Sequence, residues 1–513
     1  MPTQRTPLLI IAVDALDHRM VQLWSNMGLL PNITKVMRRG CHGTIGGADL
    51  LAARGNWLSI MTGVSKCKHG HYSHHLQLVP GSYDLKLSSD IGYDFAPFWH
   101  HIRDRNIKTL LVDPPESRKC HQLSGMQLLH WAEHQVDTDR GDTCSVPAEI
   151  LDEVTATFGT SAKFVEWKAG STLKEDLAIF RKMLHRIAQK GQVSRHLLKK
   201  DSFDLALIGF YESHTGAHRF WKYKDAKDSE LSTAIQEIYE AIDREIGLLI
   251  DAFPAETNIV LLSALGMQGQ YPAEGLIDSL LRNFGYQKSP QSTEKVGFSL
   301  EPLSLARRLM PQSLRKKISE HLPPEVQDRL VADNFKNSTD WDASEAFSIP
   351  SLYTSYVRVN MSGREPRGKV APGAEYDDVL TRICEDLYSL VDPLTGKPAV
   401  KTVTKTVEAF GCDYIHPLPD LFADWHPVPH FVAELQHPKG LLTQKGQAYN
   451  RDSWHLAEGF FAAAGPDFRN SSVIAAVSAL DLAPSFLSLL QVEAPPEMSG
   501  KVMHFAQAES FAR

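Results

Sequence analysis

The run Pro7-Leu8-Leu9-Ile10-Ile11-Ala12-Val13, apolar at every position and closed by Asp14, constrains this chain most. A strand with no polar alternation is buried on both faces, which is the condition of a parallel strand covered by helices. Similar runs recur at Lys108 to Val112, Phe203 to Phe210 and Asn258 to Leu262. Helical patterns fall between them. Ser171 to Lys200 is charged and amphipathic, and Ala226 to Phe253 repeats Ile235, Ile238, Ile242, Ile246 and Leu249 at helical spacing. This alternation predicts an α/β fold with a central, mostly parallel sheet sandwiched by helices. From about Pro272 to Asp342 the strand runs give way to short basic helices broken at Pro302, Pro311, Pro323 and Pro324, a helical cap or insertion. Strand signals return at Tyr356 to Asn360 and continue through Phe460 to Ala464, and a helix over Leu480 to Leu490 closes the pattern. The expected division is therefore an α/β core over 1–271, a helical insertion over 272–342 and the rest of the core over 343–513. A chain of 513 residues exceeds one ordinary core of about 100–200 residues, in keeping with an inserted body.

Composition narrows the function classes. Hydrophobic residues at 43% and charged residues at 22% describe a soluble globular protein. The net charge of −7 argues against a protein whose affinity rests on nucleic-acid phosphates. No apolar run nears the 18 or so residues that span a bilayer, and the opening run lacks the length and cleavage pattern of a signal peptide. The six cysteines (Cys41, Cys67, Cys120, Cys144, Cys384 and Cys412) show no paired spacing. They are expected to be reduced thiols of a cytoplasmic protein, forming neither a disulfide framework nor a zinc ribbon.

Polar residues cluster just after the strand runs: Asp14, then Glu212 with His214, then Ser263. Ligands of open α/β sheets bind beyond the carboxyl ends of strands, so chemistry is sought there.

A series of short motifs runs through the sequence. They include Leu30-Pro31-Asn32-Ile33; Trp57 to Gly63 followed by His69-Gly70; His218-Arg219-Phe220-Trp221; Ser263 to Met267; Asn360 to Pro366; Pro419-Asp420-Leu421; and His455 to Pro466. In order and spacing the chain resembles the alkaline phosphatase superfamily, and within it the type I phosphodiesterase/nucleotide pyrophosphatase branch. That resemblance implies hydrolysis of phosphate esters by two zinc ions and a Thr or Ser nucleophile. This sequence departs from the pattern. The nucleophile position, counted back from Thr62-Gly63 and His69-Gly70, falls on Ala53, which carries no oxygen. The family's Ser-Asp-His-Gly-Met motif is here Ser263-Ala264-Leu265-Gly266-Met267, which removes two more ligands. Of the nucleophile-side ligands only Asp14 survives.

The other metal subsite is different. Its positions, as the resemblance implies them, fall on His214, His218 and His455. The spacing of four puts His214 and His218 on one face of a helix. Three imidazoles with an open position suit one divalent metal, zinc foremost, with iron and copper as alternatives. Asp14 is a further candidate ligand or catalytic group. Arg54, Glu212 and His74 are candidate catalytic residues, for an anionic substrate, for proton transfer and for contact with a phosphoryl oxygen respectively. Each also has a structural reading, as a solvated Arg, a strand-end carboxylate and a landmark-associated loop residue.

Two functions compete. The first is a repurposed mononuclear metalloenzyme, of hydrolase, lyase or transferase type, acting on a small anionic substrate without a covalent phosphoenzyme. The second is an inactive relative that serves as a binding or scaffold protein. Neither membrane nor nucleic-acid partners are expected.

Overall fold

The computed structural model describes residues 5–73, 75–92, 94–133, 142–164, 171–269, 275–290, 324–351, 354–428, 430–444, 452–468 and 472–503. Its largest sheet runs, edge to edge, through Ser472–Ser478, Cys41–Gly46, Gly459–Ala464, Asn258–Ser263, Leu8–Val13, Leu205–Phe210, Thr109–Val112, Gly125–Leu129 and Cys144–Val146. The opening strand lies at the centre, parallel to both neighbours, with Ile10 opposite Leu207 and Val260. Its alternate residues serve two cores. Leu9, Ile11 and Val13 pack with Ile187 of the helix Leu173–Leu198 and with Ile238 and Ile242 of the helix Ala234–Ile250. Leu8, Ile10 and Ala12 belong to the opposite face, with Ile60 of the helix Asn56–Thr62 and Phe486 of the helix Leu482–Leu489. An all-apolar strand is what two such faces require, and the expected α/β sandwich is the observed one.

Local chemistry sets the helix limits. Thr172 and Glu175 form a reciprocal capping box that starts the helix Leu173–Leu198. The helix expected over Ala226 to Phe253 begins only at Ala234. Before it, Ser229 and Ser232 close successive tight turns through backbone bonds to Ala226 and Ser229. Sequence patterning passed over the outer strands Cys41–Gly46 and Gly125–Leu129, whose polar and glycine positions dilute the apolar signal.

The second half of the chain divides differently from the expected boundaries. Of the segment 272–342, the described helices are Leu276–Asn283 and Pro324–Asn337, while Pro272, Pro302, Pro311 and Pro323 lie outside the described residues. The described residues of 343–444 do not return to the large sheet. They build an antiparallel sheet in the order Ala346–Ile349, Ser355–Val359, Leu421–Trp425, Val400–Lys405, backed by the helix Ala374–Tyr388, together with a smaller sheet of four strands. Leu276, Ile277, Leu280 and Leu281 share the core of this second module. Among the described residues of the second half, Gly459–Ala464 and Ser472–Ser478 rejoin the large sheet. A strand signal reports burial and β-branching and carries no information about which sheet the strand joins.

Two of the sequence landmarks acquire a structural role here. Arg364 forks onto Asp420 at 2.8 and 2.6 Å and reaches Glu365 at 2.8 Å, and Glu365 also receives Arg358 at 2.8 Å. Val359 N–H and Tyr376 O–H each donate to Asp420 at 2.7 Å. Burial pushes the Asp420 carboxyl up, but Arg364 outweighs it and holds the group well below the usual carboxylate range. Removing one partner of such a pair strands buried charge. Asp420→Ala is therefore expected to lower stability by roughly 3–5 kcal/mol in urea denaturation; a loss below about 1 kcal/mol would contradict this role.

Candidate metal centre

Three elements bring the histidines together. The central strand Leu205–Phe210 runs directly into the helix Glu212–Phe220, which presents His214 and His218 one turn apart. The hairpin of Gly266–Gly269 and Ser453–Leu456, with Met267 opposite His455, supplies the third ring. All three side chains are buried. Their Nε2 atoms converge: His214 to His455 at 2.7 Å, His218 to His455 at 3.0 Å and His218 to His214 at 3.1 Å. Among the described residues this trio is the one His/Cys/Asp/Glu group whose ligand atoms are close enough to hold a metal ion.

The far nitrogens decide which tautomers face the centre. His214 Nδ1 lies 2.7 Å from Asp14 Oδ2, and an ionised carboxylate only accepts, so Nδ1 carries the proton. His218 Nδ1 lies 3.2 Å from Ser453 Oγ, whose own proton is directed to the Ala217 carbonyl at 3.2 Å. The hydroxyl oxygen therefore accepts from His218 Nδ1. Both assignments turn an Nε2 lone pair toward the same point. Lone pairs of two neutral imidazoles about 3 Å apart repel unless a positive charge sits between them. The donor set thus fits a divalent metal, and the outer contacts match the usual carboxylate–histidine support of metal ligands.

Asp14 stands behind this centre instead of within it. The opening strand ends with Asp14 N–H donating to the Phe210 carbonyl at 2.8 Å, which fixes the residue at the strand's carboxyl end. Its Oδ1 accepts from Trp57 Nε1 at 2.7 Å, its Oδ2 faces His214, and Ser213 Oγ donates to its carbonyl at 2.5 Å. The geometry gives Asp14 an outer contact, with its Oδ2 facing Nδ1 of His214.

Ala53, which the resemblance implies as the nucleophile position, lies at the same end of the sheet. Ala53 joins Ala15, Ala217, Leu265 and Met267 in one apolar cluster, and Asn56 Nδ2 donates to the Ala264 carbonyl at 3.3 Å. Asp14, Ala53, Ala264 and His455 therefore meet at one end of the sheet, as the motif register requires. A cleft of about 470 Å³ opens there between the large sheet and the second module, lined by Ala53, His455, Trp454, Gln268, Trp425 and Glu458 among others.

The sequence model of type I phosphodiesterases and nucleotide pyrophosphatases matches residues 8–340. The chain belongs to that family. Human ectonucleotide pyrophosphatase/phosphodiesterase 5 is similar over 98% of this chain and 97% of its own, at 14% identity and a TM-score of 0.45. Phosphonoacetate hydrolase of Sinorhizobium meliloti 1021, solved with phosphonoacetate, is similar over 95% of both chains, at 12% identity and a TM-score of 0.48. No curated protein sequence matches the chain.

In this phosphodiesterase-family chain the remaining sequence candidates separate. Glu212 turns away from the cleft and is fully buried against Arg186 at 2.5 Å, with Tyr211 N–H donating to it at 3.1 Å. Burial pushes its carboxyl up, yet Arg186 and Lys190 outweigh that and hold it below the ordinary value, so it is no proton donor near neutrality. Arg54 lies in the turn beside Ala53, and burial first, with the Arg54 charge adding to it, pushes the His71 imidazole down to about 4. His74 lies outside the described residues. Ser59, the other hydroxyl near the turn, is 2.9 Å from His69 Nε2. His69 Nδ1 accepts from His71 N–H, so Nε2 carries the proton and donates to Ser59, the wrong direction for activating a nucleophile.

Sequence reasoning missed Ser453, which orients His218, and Lys66, which supports the vacant turn. Ser453 carried no signal, and Lys66 stands between two landmarks, Trp57 to Gly63 and His69-Gly70. Ala52 and Ala53 both adopt left-handed backbone conformations, at φ 64° and 57°, costing roughly 1–2 kcal/mol each. The buried Lys66 ammonium holds this turn by donating to the Leu51 carbonyl and to Asn56 Oδ1, the latter at 2.7 Å. Burial pushes Lys66 down to about 7, Asp49 opposes this and Arg54 adds to it. Between that value and the ordinary lysine value of about 10.4, the unfolded chain binds a proton that the folded chain releases. Stability contributed by this group therefore rises as pH climbs above about 7. The expected slope is up to about 1.4 kcal/mol per pH unit between roughly pH 7 and 9, lost in Lys66→Met. Equal slopes in urea titrations of the two proteins would contradict the assignment.

Proposed function

We propose that this chain is a metal-dependent hydrolase-type enzyme whose site is built on a single divalent metal, zinc by preference, held by His214, His218 and His455. The observation that carries this reading is the pair of imidazole lone pairs that Asp14 and Ser453 turn toward one point. When bound, such a metal supplies Lewis-acid polarisation of water or of a substrate oxygen. The protein's own part is orientation. Asp14 fixes the His214 ring and raises its basicity, Trp57 holds Asp14, and Ser453 fixes His218. Ala53 cannot form an ester with substrate, so the reading excludes a covalent phosphoenzyme at that position. A small anionic ester would lie in the cleft with its charged end toward the histidines. Trp454, whose ring centroid is 4.2 Å from that of His455, and Trp425 would wall its organic part.

A second reading has its own observation. Apolar packing of Ala53, Leu265 and Met267 closes the nucleophile side, which suits a binding protein that no longer turns over. Activity separates the two. An aryl phosphodiester and an aryl phosphomonoester, assayed with the unchelated protein, should be hydrolysed by the parent chain and at least about 100-fold more slowly by His218→Ala, since two imidazoles rarely retain a catalytic metal. Absence of turnover in the parent across phosphate and sulfate esters would favour the binding protein. Ala53→Thr should accumulate no phosphoryl-threonine, because Ala264 and Leu265 provide no ligand to activate it; a trapped phosphoryl-threonine would overturn the direct-attack reading. Asp14→Asn is expected to weaken metal affinity about 10–100-fold in competition with a chelating dye.

A further inference from the structure

We propose that Cys67 and Cys412 form a redox-modification site, a thiol pair that a low-molecular-weight disulfide converts into a bond between the α/β body and the second module. Cys67 lies in the short helix Lys66–His69, next to the lysine that holds the Ala52–Ala53 turn. Cys412 follows the helix Thr406–Phe410 of the second module. Although 345 positions separate them, their sulfur atoms are 2.7 Å apart, with the Cys67 S–H directed at Cys412 Sγ. Both are free thiols and half-buried, so a small oxidant reaches them, whereas Cys41 and Cys120 are buried. The pair does not belong to a metal cluster among the described residues, where the group able to hold an ion is the histidine trio.

Neighbouring contacts hold the two surfaces in place. A Cβ at Gly70 would come within 3.2 Å of Pro417, and Tyr356 O–H donates to the Tyr72 carbonyl at 3.1 Å across the same junction. Closing the gap to a sulfur–sulfur bond of about 2.05 Å therefore asks for side-chain movement within a fixed frame. The hydrogen bond also orders the chemistry. Donation from Cys67 lowers the Cys412 thiol below its ordinary value, while that same bond and burial push Cys67 up. The Cys412 thiolate attacks one sulfur of the oxidant, releasing one thiolate and leaving a mixed disulfide. Cys67 then loses its proton, attacks the Cys412 sulfur and expels the second thiolate. Two electrons pass from the cysteine pair to the oxidant, giving one internal disulfide and two small thiols.

The test uses the full-length protein and oxidised glutathione. The reduced chain has six thiols. Oxidation is expected to remove two of them, to yield a non-reduced peptide pair containing Cys67 and Cys412 in mass spectrometry, and to be reversed by dithiothreitol. In Cys67→Ser the glutathione adduct should instead accumulate on Cys412. Retention of all six thiols, a cross-link through any other cysteine, or an adduct of Cys67→Ser that avoids Cys412 would overturn the proposal.

Discussion

The hydrogen bond between Asp14 and His214 Nδ1 is the contact on which the site depends. It joins the end of the central strand to the first turn of the helix that follows the neighbouring strand, so sheet register and ring orientation are one problem. Once the carboxylate fixes that tautomer, the opposite nitrogen must face His218 and His455 at about 3 Å. An arrangement of this kind is costly as a bare cluster and favourable around a cation. The folded core, in which the central strand is inaccessible on both faces, holds Asp14 rigidly enough to impose it.

The turn at Ala52 and Ala53 keeps two strained residues and a buried lysine beneath it, features expected where a reacting group is displayed. Yet the position displays a methyl group, and its surroundings are filled by Ala15, Leu265 and Met267. The strained turn carries Ala53, while the histidine side presents three nitrogen atoms with Asp14 and Ser453 as outer supports.

Much of this was legible in the sequence, and the part that was not has physical reasons. Leu8–Val13, Leu205–Phe210 and Asn258–Ser263 announced themselves because strands buried on both faces have no polar positions to blur the pattern. The histidine trio was legible through motif register, since His214 and His218 share a helix face. That Asp14 faces His214 Nδ1 was not legible, because a sequence does not say which of two nearby groups a carboxylate will hold. Glu212 looked catalytic for its place after a strand; only the fold shows Arg186 of a distant helix neutralising it. The second module's sheets and the meeting of Cys67 with Cys412 depend on pairings between residues far apart in the chain, which spacing cannot express.

The central claim is that the three histidines hold one metal, and it is tested most directly on the parent protein purified without chelator. Elemental analysis by plasma mass spectrometry, with X-ray absorption at the edge of whatever metal is found, reads both stoichiometry and ligands. The account predicts about one zinc, iron or copper per chain, bound by three imidazole nitrogens plus one lighter exchangeable ligand and no sulfur. A chain that carries no metal and takes up none when supplied with zinc, or one whose metal is bound through thiolate, would contradict it.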